Sequence, residues 1–396
     1  MGQHQVAHTG SGRASPVRCF GKSACRGKSS WLANISILQK SGARPSFSPS
    51  GKVIVFDRQD GDGFFHLYLS DLRGKILRRL TGGEAGGPRR SSGYGTFDPT
   101  GKYVVFNAEQ GQHFGMQMKF LSDPGLGTYF NLWATDIFGK HFWQLTNIPI
   151  KQSLFDRVPS MGIVHPLFSP DGKKLIWTER YRDNGYQHCN NNWGYWRLMQ
   201  GDWRVKNGAP SLVNQTVLYT PTVGNYVTAM GFLDSHTLLV AGNLSGQHVY
   251  GMDQYTYNLT THKLVDLTNT PDYWEEDSSI DPKGGTIVFM SNQASRYKLD
   301  FCNPDWAQQP RERDYWMMDR SGSHKQRLSY FNDSSAPEYV GKRVIVAASA
   351  FSPDGRYLAA TLGIDNGTAT KSDIKLEIVL LDLQQPPRKT AQHAHA

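Results

Sequence analysis

The chain has 396 residues, a formal net charge of +9 at pH 7, 40 glycines, 20 prolines and 12% aromatic residues. That length can bury a sizeable core as one closed domain, and the Gly and Pro content suits many short strands joined by sharp turns. No apolar run reaches the ~20 residues of a membrane-spanning helix, and no long stripe repeats at 3.6 residues, which argues against a membrane-spanning helix and a helical bundle.

In chain order, residues 1–30 are rich in Gly, Ser, Arg and His and read as a disordered basic arm. No acidic residue precedes Asp57, so residues 1–56 carry much of the positive excess through Arg13, Arg18, Lys22, Arg26, Lys28, Lys40, Arg44 and Lys52. A secretory signal needs an apolar run of roughly 7–15 residues, and none precedes Trp31. The composition equally fits an organelle transit peptide. Residues 31–383 hold the structured domain, and 384–396 read as a disordered tail.

From Phe47 onward one phrase recurs: Phe47-Ser48-Pro49-Ser50-Gly51-Lys52, Phe97-Asp98-Pro99-Thr100-Gly101-Lys102, Phe168-Ser169-Pro170-Asp171-Gly172-Lys173, Ile280-Asp281-Pro282-Lys283-Gly284-Gly285 and Phe351-Ser352-Pro353-Asp354-Gly355-Arg356. Pro fixes φ and Gly accepts positive φ, so each copy is a tight turn between two strands, the second exemplified by Val53-Ile54-Val55-Phe56. A third strand ending in Asp comes next, at Asp71, Asp136, Asp319 and Asp382. A fourth is marked by Leu80-Thr81, Leu145-Thr146, Leu267-Thr268 and Leu328-Ser329. A blade of four strands needs roughly 40–50 residues, and the gap between Pro170 and Pro282 hides a degenerate unit running from Gly231 to Asp253. Six units result. The last lacks a fourth strand after Leu383, and Leu32–Leu38 is the candidate to supply it and seal the ring. The expectation is all-β, a six-bladed β-propeller of four-stranded antiparallel blades closed by an N-terminal strand.

These phrases resemble the TolB-like propeller family, whose repeats are WD40-like, over roughly Ile35 to Leu383. The stretches 273–277 and 326–332 are similar to an uncharacterised bacterial subgroup of secreted TolB-like proteins. The resemblance implies a periplasmic or secreted protein of the cell envelope. With no visible signal, a cytoplasmic location stays open. It also implies a binding role through a protein partner or a carbohydrate or peptide ligand, with monomer as the expected state.

The repeated Pro, Gly and Asp serve turn geometry, so function is sought where equivalent positions differ between blades. Three residues before each hairpin aromatic, or its equivalent, stand Arg44, Tyr94, His165, Ala229, Asp277 and Ala348, near the start of the innermost strands. With Glu276 they form a candidate ligand-binding ring at the channel mouth: Arg44, Tyr94, His165, Glu276 and Asp277. Such a set can hold an anionic or sugar ligand or a divalent cation such as calcium or manganese, with His165, Glu276 and Asp277 as metal candidates. The main reading is a non-catalytic scaffold without a cofactor. The alternative is a metal-assisted polysaccharide lyase or glycoside hydrolase centred on His165, Tyr94, Glu276 and Asp277, a use of channel histidines that resemblance to propeller oligogalacturonate lyases implies. A third reading makes a blade face a protein-docking platform. Trp274, Glu275 and Glu276 would equally suit a solvated loop edge.

No Gly-x-Ser-x-Gly elbow, His-Glu-x-x-His helix or phosphate-cradling loop occurs, which removes serine peptidase, zincin and nucleotide hydrolase. No basic, aromatic-studded groove can be drawn from the repeats, so no specific nucleic-acid partner is expected. Two insertions are dense in aromatics, 181–196 and 300–316. Trp196 and Trp316 fall on third strands and read as packing, whereas Trp193 and Trp306 are loop candidates for recognition. Cys19, Cys25, Cys189 and Cys302 are too few for a disulfide framework.

Overall fold

A computed structural model of the protein describes residues 26–110, 122–149, 161–182, 194–300, 302, 309–368 and 373–384. The arm before residue 26, the tail after 384, Trp193, Trp306, Cys19, Cys25 and Cys189 lie outside the described residues.

The strands, in chain order, are β1 (Leu32–Gln39), β2 (Ala43–Phe47), β3 (Val53–Gln59), β4 (Phe65–Asp71) and β5 (Ile76–Arg79). Then come β6 (Ser92–Phe97), β7 (Tyr103–Glu109), β8 (Phe130–Asp136), β9 (Phe142–Gln144), β10 (Gly162–Phe168), β11 (Lys174–Arg182), β12 (Tyr195–Lys206) and β13 (Ala209–Tyr219). The second half holds β14 (Val227–Asp234), β15 (Thr237–Gly242), β16 (Asp253–Asn258), β17 (Leu264–Asp266), β18 (Glu275–Ile280), β19 (Thr286–Ser291), β20 (Asp314–Asp319) and β21 (Gln326–Arg327). The last three are β22 (Arg343–Phe351), β23 (Tyr357–Asp365) and β24 (Ile374–Leu383).

Among the described residues these make six four-stranded antiparallel sheets. Blades one to five are β2–β5, β6–β9, β10–β13, β14–β17 and β18–β21, and the sixth runs β22-β23-β24-β1. The degenerate unit after Gly231 is blade four. Ring closure is as expected from the sequence: β1 pairs antiparallel with β24, Ile35 opposite Leu381 and Ile37 opposite Val379. Residues just before it, which the sequence places in the arm, also hold the ring. The Lys28 amide donates to Glu338 Oε2 at 2.9 Å and its ammonium meets Asp333 at 2.6 Å. Among the described residues no helix is long and apolar enough to cross a membrane.

Alternation along the second and third strands puts apolar side chains between neighbouring blades. Val55 and Leu67 of blade one pack with Val104 and Phe106 of blade two. Ile54 and Phe56 pack with Ala359 and Ile378 of blade six. The repeat markers explain themselves. The leucine of each pair packs inward at the outer strand, buried at Leu80, Leu145 and Leu328 and partly buried at Leu267. The hydroxyl then accepts a third-strand amide: Thr81 from Leu67 at 3.0 Å, Thr146 from Leu132 at 2.8 Å, Ser329 from Tyr315 at 2.9 Å. Strand-end aspartates cap turn amides, Asp136 accepting from Phe138 and Lys140 at 2.8 and 3.1 Å.

The Pro-Gly turns also interlock. A Cβ added to Gly101 would lie 3.5 Å from Pro49, one on Gly172 2.5 Å from Pro99, one on Gly355 3.4 Å from Pro282, and one on Gly51 3.3 Å from Pro353. Each turn glycine therefore sits on the turn proline of the preceding blade. In blade four, which lacks the phrase, the backbone oxygen of Leu233 takes that place against Gly284.

Candidate functional site

Every innermost strand breaks register at or next to the position singled out from the repeats: between Ala43 and Ser46, Gly93 and Thr96, Val164 and Leu167, Glu276 and Ser279, and Val346 and Ser349, and in blade four one residue on, between Ala229 and Gly231. These are β-bulges, which re-aim a side chain out of the ladder. In four blades the bulged residue adopts left-handed backbone without being glycine: Arg44, Tyr94, His165 and Asp277, with φ of 52, 49, 54 and 50°. That conformation costs roughly 1–2 kcal/mol per residue and collects at functional positions.

The bulge amides leave the ladder, and the neighbouring blade satisfies several of them. Thr361 Oγ1 accepts from the Arg44 amide at 3.0 Å, Asp57 Oδ2 from the Tyr94 amide at 3.3 Å, and Thr178 Oγ1 from the Ala229 amide at 3.4 Å. Asp57, Thr178 and Thr361 hold equivalent places, each just after the apolar run of a second strand. A polar residue in a strand buried on both faces was the available signal for them.

The bulges converge on one axial pit of about 180 Å³ lined by Arg44, Tyr94, His165 and Asp277, with Ala229 and Ala348 leaving room between them. Residues just before the bulges, Ala43, Val164, Thr228 and Glu276, are buried, whereas Ser46, Thr96, Leu167 and Met230 beyond them are partly open. Pro124 closes over Gly93 from a blade-two loop. From the four bulge residues the lining continues along the innermost strands through Ser46, Thr96, Leu167, Met230 and Ser349 toward the Pro-Gly turns.

Arg44 is held by two carboxylates. Nε and Nη2 donate to Asp57 at 2.8 and 2.7 Å, and Nη1 to Asp123 at 3.1 Å. Burial pulls its pKa down, and the two carboxylates more than reverse this. Burial likewise pushes Asp57 up to about 6 against the pull of Arg44.

His165 is set by a hydroxyl relay. Thr178 Oγ1 donates to Thr228 Oγ1 at 3.0 Å, which leaves the Thr228 proton for His165 Nδ1, 2.9 Å away. Burial and the Arg44 charge hold the imidazole pKa down at about 3, so the ring is neutral with its proton on Nε2. Nε2 makes no hydrogen bond among the described residues. The ring lies 4.3 Å from that of Tyr94. The Tyr94 hydroxyl is also without a hydrogen-bond partner there, and burial followed by the nearby Asp277 carboxylate drives its pKa well above the usual value. Asp277 itself accepts no hydrogen bond from the described residues. Burial, then Glu276, pushes its pKa up to about 7, opposed by Arg313 and Arg44.

Glu276 departs from the expected ring. Its carboxylate accepts from Tyr226 OH at 2.8 Å and Trp274 Nε1 at 2.9 Å, behind the pit, because the strand alternation sends it away from Asp277. Glu275 is fully buried and accepts from Ser291 Oγ at 3.2 Å, so this stretch is not a solvated loop edge. Among the described residues no three His, Cys, Asp or Glu side chains are placed to share a metal ion. Of the metal candidates, His165 and Asp277 line the pit and Glu276 does not.

Trp196 packs at 1% exposure with Val164 and Tyr226, and Trp316 packs against the cluster of Leu233, Leu239, Ile287, Phe289 and Met318. Cys302 is disulfide-bonded.

No protein-family model matches the chain, and no curated protein matches it. Solved structures do. A TolB-type protein of Agrobacterium tumefaciens is 14% identical, covering 86% of this chain and 90% of its own, at a TM-score of 0.48. TolB from Acinetobacter baumannii is 13% identical over 85% of this chain and 65% of its own, at 0.50. An oligogalacturonate lyase in complex with manganese is 14% identical over 92% and 96%, at 0.47. The likeness to the Acinetobacter baumannii protein shows a shared fold and nothing about activity.

Proposed function

We propose that this chain, a six-bladed propeller of TolB-like fold, is a non-catalytic binding scaffold that holds the polar end of a protein, peptide or carbohydrate ligand in its axial pit. The observation that carries this reading is convergence: side chains from blades one, two, three and five meet in one recess. Three of them, Tyr94, His165 and Asp277, turn toward it hydrogen-bonding groups that have no partner among the described residues. These residues are partly open rather than fully buried, so their groups are accessible to a ligand entering the pit, and a few convergent polar groups in a recess are the usual mark of a binding site. The bulge strain at all four positions supports the same conclusion. A scaffold is favoured over the metal-assisted alternative because Glu276, one of its three proposed ligands, bonds Tyr226 and Trp274 instead of lining the pit. The Cys302 disulfide supports a periplasmic or secreted setting, where such bonds persist.

The test is a thermal-shift and calorimetric screen of the full chain against short glycans and peptides. The reading expects a ligand that raises the melting temperature of the wild type and not of Tyr94→Phe or His165→Gln. A ligand that stabilises both variants as well as the wild type binds elsewhere, and turnover of any of these compounds would overturn the non-catalytic role.

A further inference from the structure

The charges around the pit do not balance. The Arg44 guanidinium is already engaged by Asp57, fully buried, and by Asp123. Arg313, the other cation that acts on Asp277, lies 3.8 Å over the Trp274 ring. It makes no ion pair among the described residues, its guanidinium donating at 3.4 Å to Met290 Sδ. His165 is uncharged. Four carboxylates, Asp57, Asp123, Glu276 and Asp277, thus stand against three guanidiniums, Arg44, Arg313 and Arg311, of which the last acts on Arg313. The carboxylate that both lines the recess and lacks any donor among the described residues is Asp277. The Tyr94 hydroxyl, close enough to feel its charge, is likewise unpartnered there. Small Ala348 and Ala229 stand on the blades either side of Asp277 and leave space before it. Lysines of the turn face, such as Lys52 and Lys102, are exposed, and their fields fade over about 8 Å at physiological salt.

We propose that the pit takes a primary ammonium group, which donates to the Asp277 carboxylate and the Tyr94 hydroxyl oxygen. This rests on the binding-scaffold reading and narrows it. The cation would replace the missing counter-charge of a half-buried carboxylate, the arrangement in which an ion pair gives most discrimination against a neutral competitor. A lysine side chain, a chain N-terminus and an amino sugar all carry this group.

Calorimetry on the full chain at pH 7 separates these sources with three probes: glucosamine, Nα-acetyl-lysine amide and glycylglycine amide. Each is paired with its N-acetylated, uncharged counterpart. We expect at least one ammonium probe to bind at least about tenfold more tightly than its acetylated partner and to weaken at least about tenfold in Asp277→Asn, judged folded by its melting curve. Acetylated probes that bind as well and are lost in Tyr94→Phe would overturn the ammonium preference while leaving the binding scaffold intact. Failure of all six probes to bind, or unchanged ammonium binding in Asp277→Asn, would also overturn it.

Discussion

The two ends of the innermost strands obey opposite rules. At the turn end the residues repeat and their contacts repeat with them, Gly51, Gly101, Gly172 and Gly355 each resting on the proline of the blade before and Gly284 on the Leu233 oxygen. At the bulge end the backbone repeats but the side chains do not. Four blades share a left-handed φ near 50°, and the residues are Arg, Tyr, His and Asp. Where backbone and side chain both recur, a residue serves the ring. Where only the backbone recurs, the fold holds a position open for chemistry.

This contrast breaks most sharply at Arg44, which serves both purposes. Arg44→Ala strands the fully buried Asp57 carboxylate, and removing one partner of a buried pair costs about 3–5 kcal/mol. Chemical denaturation should show a loss of that order. A loss below about 1 kcal/mol would mean Asp57 is not confined as described. At the turn end, Gly284→Ala should cost roughly 1–2 kcal/mol for handedness alone. Its Cβ would also stand 2.3 Å from the Leu233 oxygen, so the total should exceed that of Gly51→Ala, whose nearest neighbour is Pro353 at 3.3 Å. Equal melting temperatures for the two variants would argue against interlocked turns.

Asp277 should behave in the opposite sense. Its folded pKa, about 7, lies above the value of 3.8 for a free side chain, so the folded state binds more protons between those limits. Its contribution therefore falls as pH rises from about 4 to 7, by linkage. Asp57 and Glu275, also raised, tilt stability the same way, so the informative quantity is the difference between proteins. Asp277→Asn should match or fall below the wild type near pH 4 and exceed it at pH 8 without ligand. A variant less stable than wild type at pH 8 would mean the carboxylate has a structural partner.

Much of this was legible in the residues because turns and blade contacts are local. Pro, Gly, the strand-end Asp and the Leu-Thr pair each act within a few residues or one blade, so their spacing revealed the ring, its closure by Leu32–Leu38 and the equivalent axial positions. What was not legible depends on neighbours distant in number. The Thr178–Thr228 relay that fixes the His165 tautomer joins two blades, and Asp123, which captures Arg44, lies on the loop between β7 and β8 of the next blade. Glu276 was grouped with Asp277 through adjacency, although successive residues of a strand face opposite ways.

The proposed site depends most on blades two and five contributing to one bound ligand, and a double-mutant cycle with Tyr94→Phe and Asp277→Asn on ligand affinity tests it most directly. Non-additive losses, with the double variant losing clearly less than the sum of the single losses, are the expected result for two groups holding the same bound atom. Additive losses, or affinity indifferent to either change, would contradict it.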